Sequence, residues 1–164
     1  MNDEKGQLSG EYMLLVGSLI VVLMISIFMI ANENELNIAM AAAKSGADEG
    51  VASSSSAIYP KETFNEYDDM EGLKHPYSVS IVNVSYNSSG IDENYGKQKI
   101  QFKVYAKVSA DYNKKELDSI GDKINYNLRK SVATSFNTTD STNKLYNPVF
   151  SNNYVFTTAN VVWV

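Results

Sequence analysis

Apolar positions along this chain fall into two regimes. From Tyr12 to Ala31 the sequence reads YMLLVGSLIVVLMISIFMIA, twenty residues without a formal charge. As a helix rising 1.5 Å per residue, such a run is about 30 Å long, the depth of a bilayer's hydrocarbon. The helical pattern outlasts it, because Leu36, Ala39, Met40, Ala43 and Ala47 keep the spacing in an Ala-rich stretch. Gly46 and Gly50 weaken this continuation, and Ser53 to Ser56 followed by Pro60 end it. The pattern predicts one helix from about Leu8 to about Ser54, about 70 Å long and well beyond what a bilayer requires.

After Pro60 the period changes to that of strands. Tyr77, Val79 and Ile81 share one face, and the phase then shifts to Val82, Val84 and Tyr86, which predicts a bulge. Gly90 to Gly96 reads as a loop. From Lys99 to Ser109 the alternation is regular, with Ile100, Phe102, Val104, Ala106 and Val108 facing in and Gln101, Lys103, Tyr105 and Lys107 facing out. Asn113 with Glu116 three residues on has the form of a capping box. It precedes Leu117, Ile120, Ile124, Leu128 and Val132, one apolar helix face. Further strand signals lie around Asn147-Pro148 and Ser151-Asn152-Asn153 and at Ala159 to Val164. The Val-Val-Trp-Val ending reads as core. The expected fold class is α+β: a long N-terminal hydrophobic helix, then a globular head of antiparallel sheet packed on that helix's C-terminal half and on one further helix.

Composition narrows what such a molecule does. At 164 residues there is room for one core plus one appendage. A formal charge of −5 and the lack of any polybasic segment argue against nucleic acid as a partner. Without cysteine, neither a disulfide framework nor a thiolate metal site is possible. A transmembrane anchor or a secretory signal accounts for the apolar run by itself. A secretory signal, however, starts with net positive charge, and here Asp3 and Glu4 outnumber Lys5. Ala39-Met40-Ala41 has the small-x-small form of a cleavage site, but the polar stretch Asn32 to Asn37 separates it from the apolar run.

The residues ahead of the run carry a family resemblance. Lys5-Gly6-Gln7-Leu8-Ser9-Gly10-Glu11-Tyr12 resembles the class III signal peptide of archaeal type IV pilin-like proteins, methanogen prepilins above all. In that family a Q-x-S-x-E motif follows a Lys-Gly junction, and Gln7, Ser9 and Glu11 all match. The resemblance covers the first 35 or so residues closely and the helix-then-head layout loosely. It implies cleavage between Gly6 and Gln7 by a membrane aspartyl peptidase, so that the apolar helix stays in the mature subunit. The implied organisation is a leader at 1–6, a long helix at 7–57 that first anchors and then forms a filament core, and a β-rich head at 58–164.

Glu11 then becomes the fifth mature residue, where such pilins carry a glutamate. The new α-amine of Gln7 is its natural partner, since a carboxylate at the margin of an apolar bundle is costly unless paired. Outside lipid the apolar surface needs equivalent helices to cover it. Val16, Leu19, Ile20, Leu23, Ile27 and Ile30 supply ridges for that packing, while Gly17, Ser18 and Ser26 permit close approach.

The implied partners are copies of the chain itself in a helical homopolymer, the prepilin peptidase, an assembly ATPase, a membrane platform protein and, before assembly, the membrane. The implied location is the cell membrane as a prepilin and afterwards an extracellular adhesive filament. A single-pass membrane-anchored binding module and an archaellum-type filament subunit share the same layout and stand as alternatives.

Catalytic chemistry finds little support. His75 is the single histidine and stands beside Pro76, so no imidazole cluster can form. Glu66, Asp68, Asp69 and Glu71, and the pair Asp92-Glu93, match no spaced cation loop. No phosphate loop or nucleophile elbow is present, and no metal or cofactor is expected. Three glycosylation sequons begin at Asn83, Asn87 and Asn137, all beyond the apolar run. The family resemblance favours their use.

Overall fold

The computed structural model describes residues 3–52, 78–109 and 111–164, with side chains from Gly10 onward. Helix α1 (Asp3–Ala52) is followed by β1 (Val79–Asp92), β2 (Lys97–Val108), α2 (Lys114–Ser135), a 3₁₀ turn at Thr139–Ser141, β3 (Val149–Phe150), β4 (Tyr154–Thr158) and β5 (Val162–Trp163). The chain divides into two compact units, 1–37 and 38–164, and α1 contributes to both. The α+β class is as the sequence predicts. The helix starts five residues before the expected Leu8. Its expected end at Ser54, the Ser53–Ser56 and Pro60 breakers and the 57/58 boundary lie outside the described residues, as do Tyr77 and His75.

In the first unit α1 is apolar on every side from Tyr12 to Ala31, and every residue of that run except half-buried Val16 is exposed. Leu14 is 76% exposed and Phe28 70%, an apolar surface left uncovered among the described residues. Ser18 and Ser26, the two serines of the run, hide their polarity within the helix. Ser18 Oγ donates to Leu15 O at 2.8 Å and Ser26 Oγ to Val22 O at 2.8 Å. The helix therefore presents no unpaired hydroxyl at either place, and the segment from Gly10 onward is long and apolar enough to cross a membrane.

The second unit is built on β2. Ile100, Phe102, Val104 and Ala106 are buried on one face, against Ile120, Ile124, Leu128 and Val132 of α2 and with Phe156 and Val149 from the later strands. Phe102 and Phe156 stack at 5.6 Å, and Phe136 stacks on Phe156 at 5.7 Å. The α2 N-terminus is the capping box that its sequence predicts. Asn113 Oδ1 accepts from Glu116 N at 2.9 Å, and Glu116 Oε2 accepts from Asn113 N at 2.8 Å. Replacing Asn113 with alanine leaves one of these amides without a partner and is expected to cost about 1 kcal/mol, read as a lower melting temperature of the head.

Three details refine the expectations. The sheet is antiparallel-dominated, as expected, through β1–β2 and β3–β4, but β2 pairs in parallel with both β4 and β5. The α2 crossover returns the chain in the same direction, which parallel pairing requires. The sheet order is β1-β2-β4-β3, with β5 extending the β4 line along Tyr105 and Ala106. Second, β1 runs through the expected Gly90–Gly96 loop as far as Asp92, leaving only a four-residue turn. Gly90 at φ +81° and Gly96 at φ +63° supply the left-handed backbone there. Third, the bulge falls where the phase shift predicts, between Ile81 and Asn83, but Val82 within it and Tyr86 beyond it are exposed at 58% and 46%. The sheet edge gives neither of them a covering layer.

Gly46 and Gly50 also acquire a different meaning. A Cβ on Gly46 would lie 2.6 Å from Asn127 O and 2.8 Å from Leu128 Cα, and one on Gly50 would lie 2.8 Å from Ile124 Cα. With Ala39, Ala43 and Ala47 fully buried alongside, they form a small-residue stripe that lets the backbones of α1 and α2 approach closely. What reads locally as helix weakening is the packing surface between two helices.

Candidate functional site

The most unusual surface is the stretch of α1 from Tyr12 to Ile30. Leu19, Ile20, Leu23, Ile27 and Ile30 are between 51% and 67% exposed, and Val16 is half-buried. Their spacing of three, one, three, four and three residues places the six along one stripe of the helix. Met13, Leu14, Leu15, Val21, Val22, Met24, Ile25, Phe28 and Met29 fill the remaining directions and are all more than half exposed. Gly17 meets no atom within 4 Å of where a Cβ would sit, so its backbone is open to a neighbour. Among the described residues nothing in the first unit covers this surface. Lipid or other apolar helices can, through dispersion and loss of apolar hydration.

Glu11 is exposed and immediately precedes the run. The Gly6–Gln7 bond lies within the helical stretch that begins at Asp3. The side chains of Lys5, Gln7 and Ser9 fall outside the described residues.

The three sequon asparagines are exposed. Asn83 and Asn87 lie on β1, whose only partner strand among the described residues is β2. Asn137 follows α2 in the left-handed region at φ 54°, a conformation asparagine tolerates. Its sequon neighbour Thr138 donates through Oγ1 to Phe150 O at 3.1 Å.

Among the described residues no group of three His, Cys, Asp or Glu converges. Asp92 is engaged locally, accepting from Asn94 N at 3.0 Å through Oδ1 and standing 4.0 Å from Lys99 Nζ. Glu66, Asp68, Asp69 and Glu71 lie outside the described residues.

The structure adds a feature that the pattern of apolar positions does not reveal. A cleft of about 360 Å³ lies between α2 and the C-terminal strand, lined by Leu117, Asp118, Asp122, Asn125 and Trp163 among others. Asn125 Nδ2 donates to Ala159 O at 2.9 Å, and no donor reaches its buried Oδ1. The expectation that the C-terminal Val-Val-Trp-Val is core is met only in part, because Val161, Val162 and Trp163 are half-buried and Val164 is 63% exposed. Two perturbed groups lie on α2 outside the cleft's lining. Burial lowers the Lys123 ammonium below its usual value. Burial, and then the adjacent Tyr146 phenol, raise Tyr126, against a smaller opposing effect of Arg129. Arg129 itself ties α2 to the chain beyond it, donating to Leu145 O at 3.0 Å and Thr158 Oγ1 at 2.5 Å.

What fold and site define is a class: an α+β protein with a long apolar N-terminal helix that is able to enter a membrane, followed by a sheet-and-helix head. No protein family, curated protein or solved structure matches this chain.

Proposed function

We propose that this chain is a structural subunit of a type IV pilus-like surface filament, made as a prepilin, cleaved before Gln7 and polymerised through α1. The observation that carries the reading is the uncovered α1 surface from Tyr12 to Ile30, apolar in every direction and continued by twenty-odd helical residues that a membrane anchor does not need. One surface serves in lipid before assembly and against equivalent helices afterwards. The leader motif around Gly6 and Gln7 supports the order of events. Cleavage ahead of the apolar segment retains it and creates an α-amine able to pair with Glu11 in the same or an adjacent subunit.

In this reading the head is outermost and its sequons at Asn83, Asn87 and Asn137 carry glycan. The role is attachment rather than catalysis, with no cofactor. The peptidase, assembly ATPase and platform protein are the partners that the resemblance implies, and self-association is the principal interaction. The length of the apolar run equally suits a single-pass anchored binding module, whose ligand would occupy the head. Electron microscopy of material sheared from cells separates the two. A helical polymer containing this chain is the expected outcome, and its absence with the protein retained in membranes would favour the anchored module.

A further inference from the structure

We infer that the cleft between α2 and the C-terminal strand is a binding site for a small organic cation, a primary ammonium group on a short apolar body. The inference goes beyond the filament reading and does not depend on it.

One wall of the cleft carries acceptors. Asp118 and Asp122 stand about one helical turn apart on α2, and Asn125 lies a little less than a turn further on. Both carboxylates are exposed, whereas Asn125 is only 6% exposed. The bond from its Nδ2 to Ala159 O at 2.9 Å fixes which way the amide faces. Oδ1 is thereby left buried, without a donor, in a residue that lines the cleft. A buried acceptor left unmade is costly, so a donor arriving there gains more than it would at the surface.

The facing wall is apolar. Val161 and Trp163 close on α2 over Gly121, where a Cβ would reach Val161 Cβ at 3.4 Å and Trp163 Cζ2 at 3.8 Å. Leu117 adds a third apolar side chain. An ammonium is drawn both to the acceptors and to the face of an indole, and its apolar body loses hydration against Leu117 and Val161.

Size and charge agree with this occupant. The volume of about 360 Å³ is at the small end of ligand pockets, which run roughly 300–1,000 Å³. Of the charged side chains lining the cleft two are carboxylates, and Lys114 is the single opposing charge. An anion would meet those carboxylates at close range. A bare Ca²⁺ would need about six to eight oxygens, and half of this lining offers carbon.

Trp163 is the only tryptophan of the chain, so its fluorescence reports on the cleft. The test titrates the full-length chain, in non-ionic detergent and at constant ionic strength, with n-butylammonium chloride. Neutral 1-pentanol and calcium chloride are run in parallel. A saturable change with butylammonium, absent with pentanol and with calcium, is the expected result. The Asp118→Asn, Asp122→Asn double variant should bind about tenfold more weakly, the size of one lost charge-assisted hydrogen bond, with the head's melting temperature unmoved. Lys114→Ser should bind more tightly, since it removes the opposing charge. No saturable change would overturn the proposal and leave Asn125 Oδ1 to solvent. A response that pentanol reproduces would overturn it in favour of an apolar crevice, and a response to calcium in favour of a metal site. A Trp163 signal that changes with protein concentration alone would assign the cleft to a second copy, and would overturn it too. Binding by a chain that forms no polymer would defeat the filament reading and leave this one intact. Polymer whose subunits ignore butylammonium would do the reverse.

Discussion

Replacing Gly46 with valine is expected to lower the stability of the head by about 3 kcal/mol, and its melting temperature by roughly 10 °C. The position leaves no soft neighbour to yield. The nearest atoms to a new Cβ are Asn127 O at 2.6 Å and Leu128 Cα at 2.8 Å, both backbone, with Ser131 Cβ at 2.7 Å. Relief requires α2 to move off α1, and α2 carries Ile120, Ile124, Leu128 and Val132 into the core. A thermal melt of the solubilised subunit followed by near-ultraviolet circular dichroism reads the effect. Gly17→Ala is the control. It too adds a Cβ, but where nothing lies within 4 Å, and the head should melt as the unaltered protein does. An unchanged melting temperature for Gly46→Val would show that the close approach of α1 to α2 does not hold the head together.

The second large effect separates assembly from folding. Leu23→Lys places an ammonium in the middle of the apolar run, at a residue 53% exposed in the isolated chain and outside the head. At the centre of a bilayer such a charge costs about 3 kcal/mol, and in a helical polymer the penalty recurs in every subunit. Filaments in the sheared fraction should disappear, while the head's melting temperature stays where it was. Leu23→Met, of similar volume and polarity, should assemble normally. Filaments of ordinary abundance from Leu23→Lys would contradict burial of this residue in a polymer core.

What the sequence conveyed was local. The capping box at Asn113 and Glu116 was legible because donor and acceptor lie three residues apart. The β1 bulge was legible because the apolar phase slips between Ile81 and Val84. The parallel pairing of β2 with β4 and β5 was not, since strands of five and two residues carry little pattern and their direction depends on the α2 crossover. Gly46 and Gly50 read as weak points because helix propensity is a property of the segment alone. Their actual neighbours, Ile124, Asn127 and Leu128, are more than seventy residues further along.

The candidate site shows the same division. The apolar run is unmistakable in sequence, and the structure adds that its serines are internally bonded and its surface uncovered.

The central claim is that cleavage ahead of the apolar run keeps α1 in the mature chain, where it is then buried among copies of itself. The most direct measurement is mass spectrometry of the N-terminal peptide from sheared, sedimented filaments. A mature chain beginning at Gln7, in a polymer that pellets with the filament fraction, is the predicted result. A chain beginning at Met1, or at any residue beyond Ala31, would contradict it.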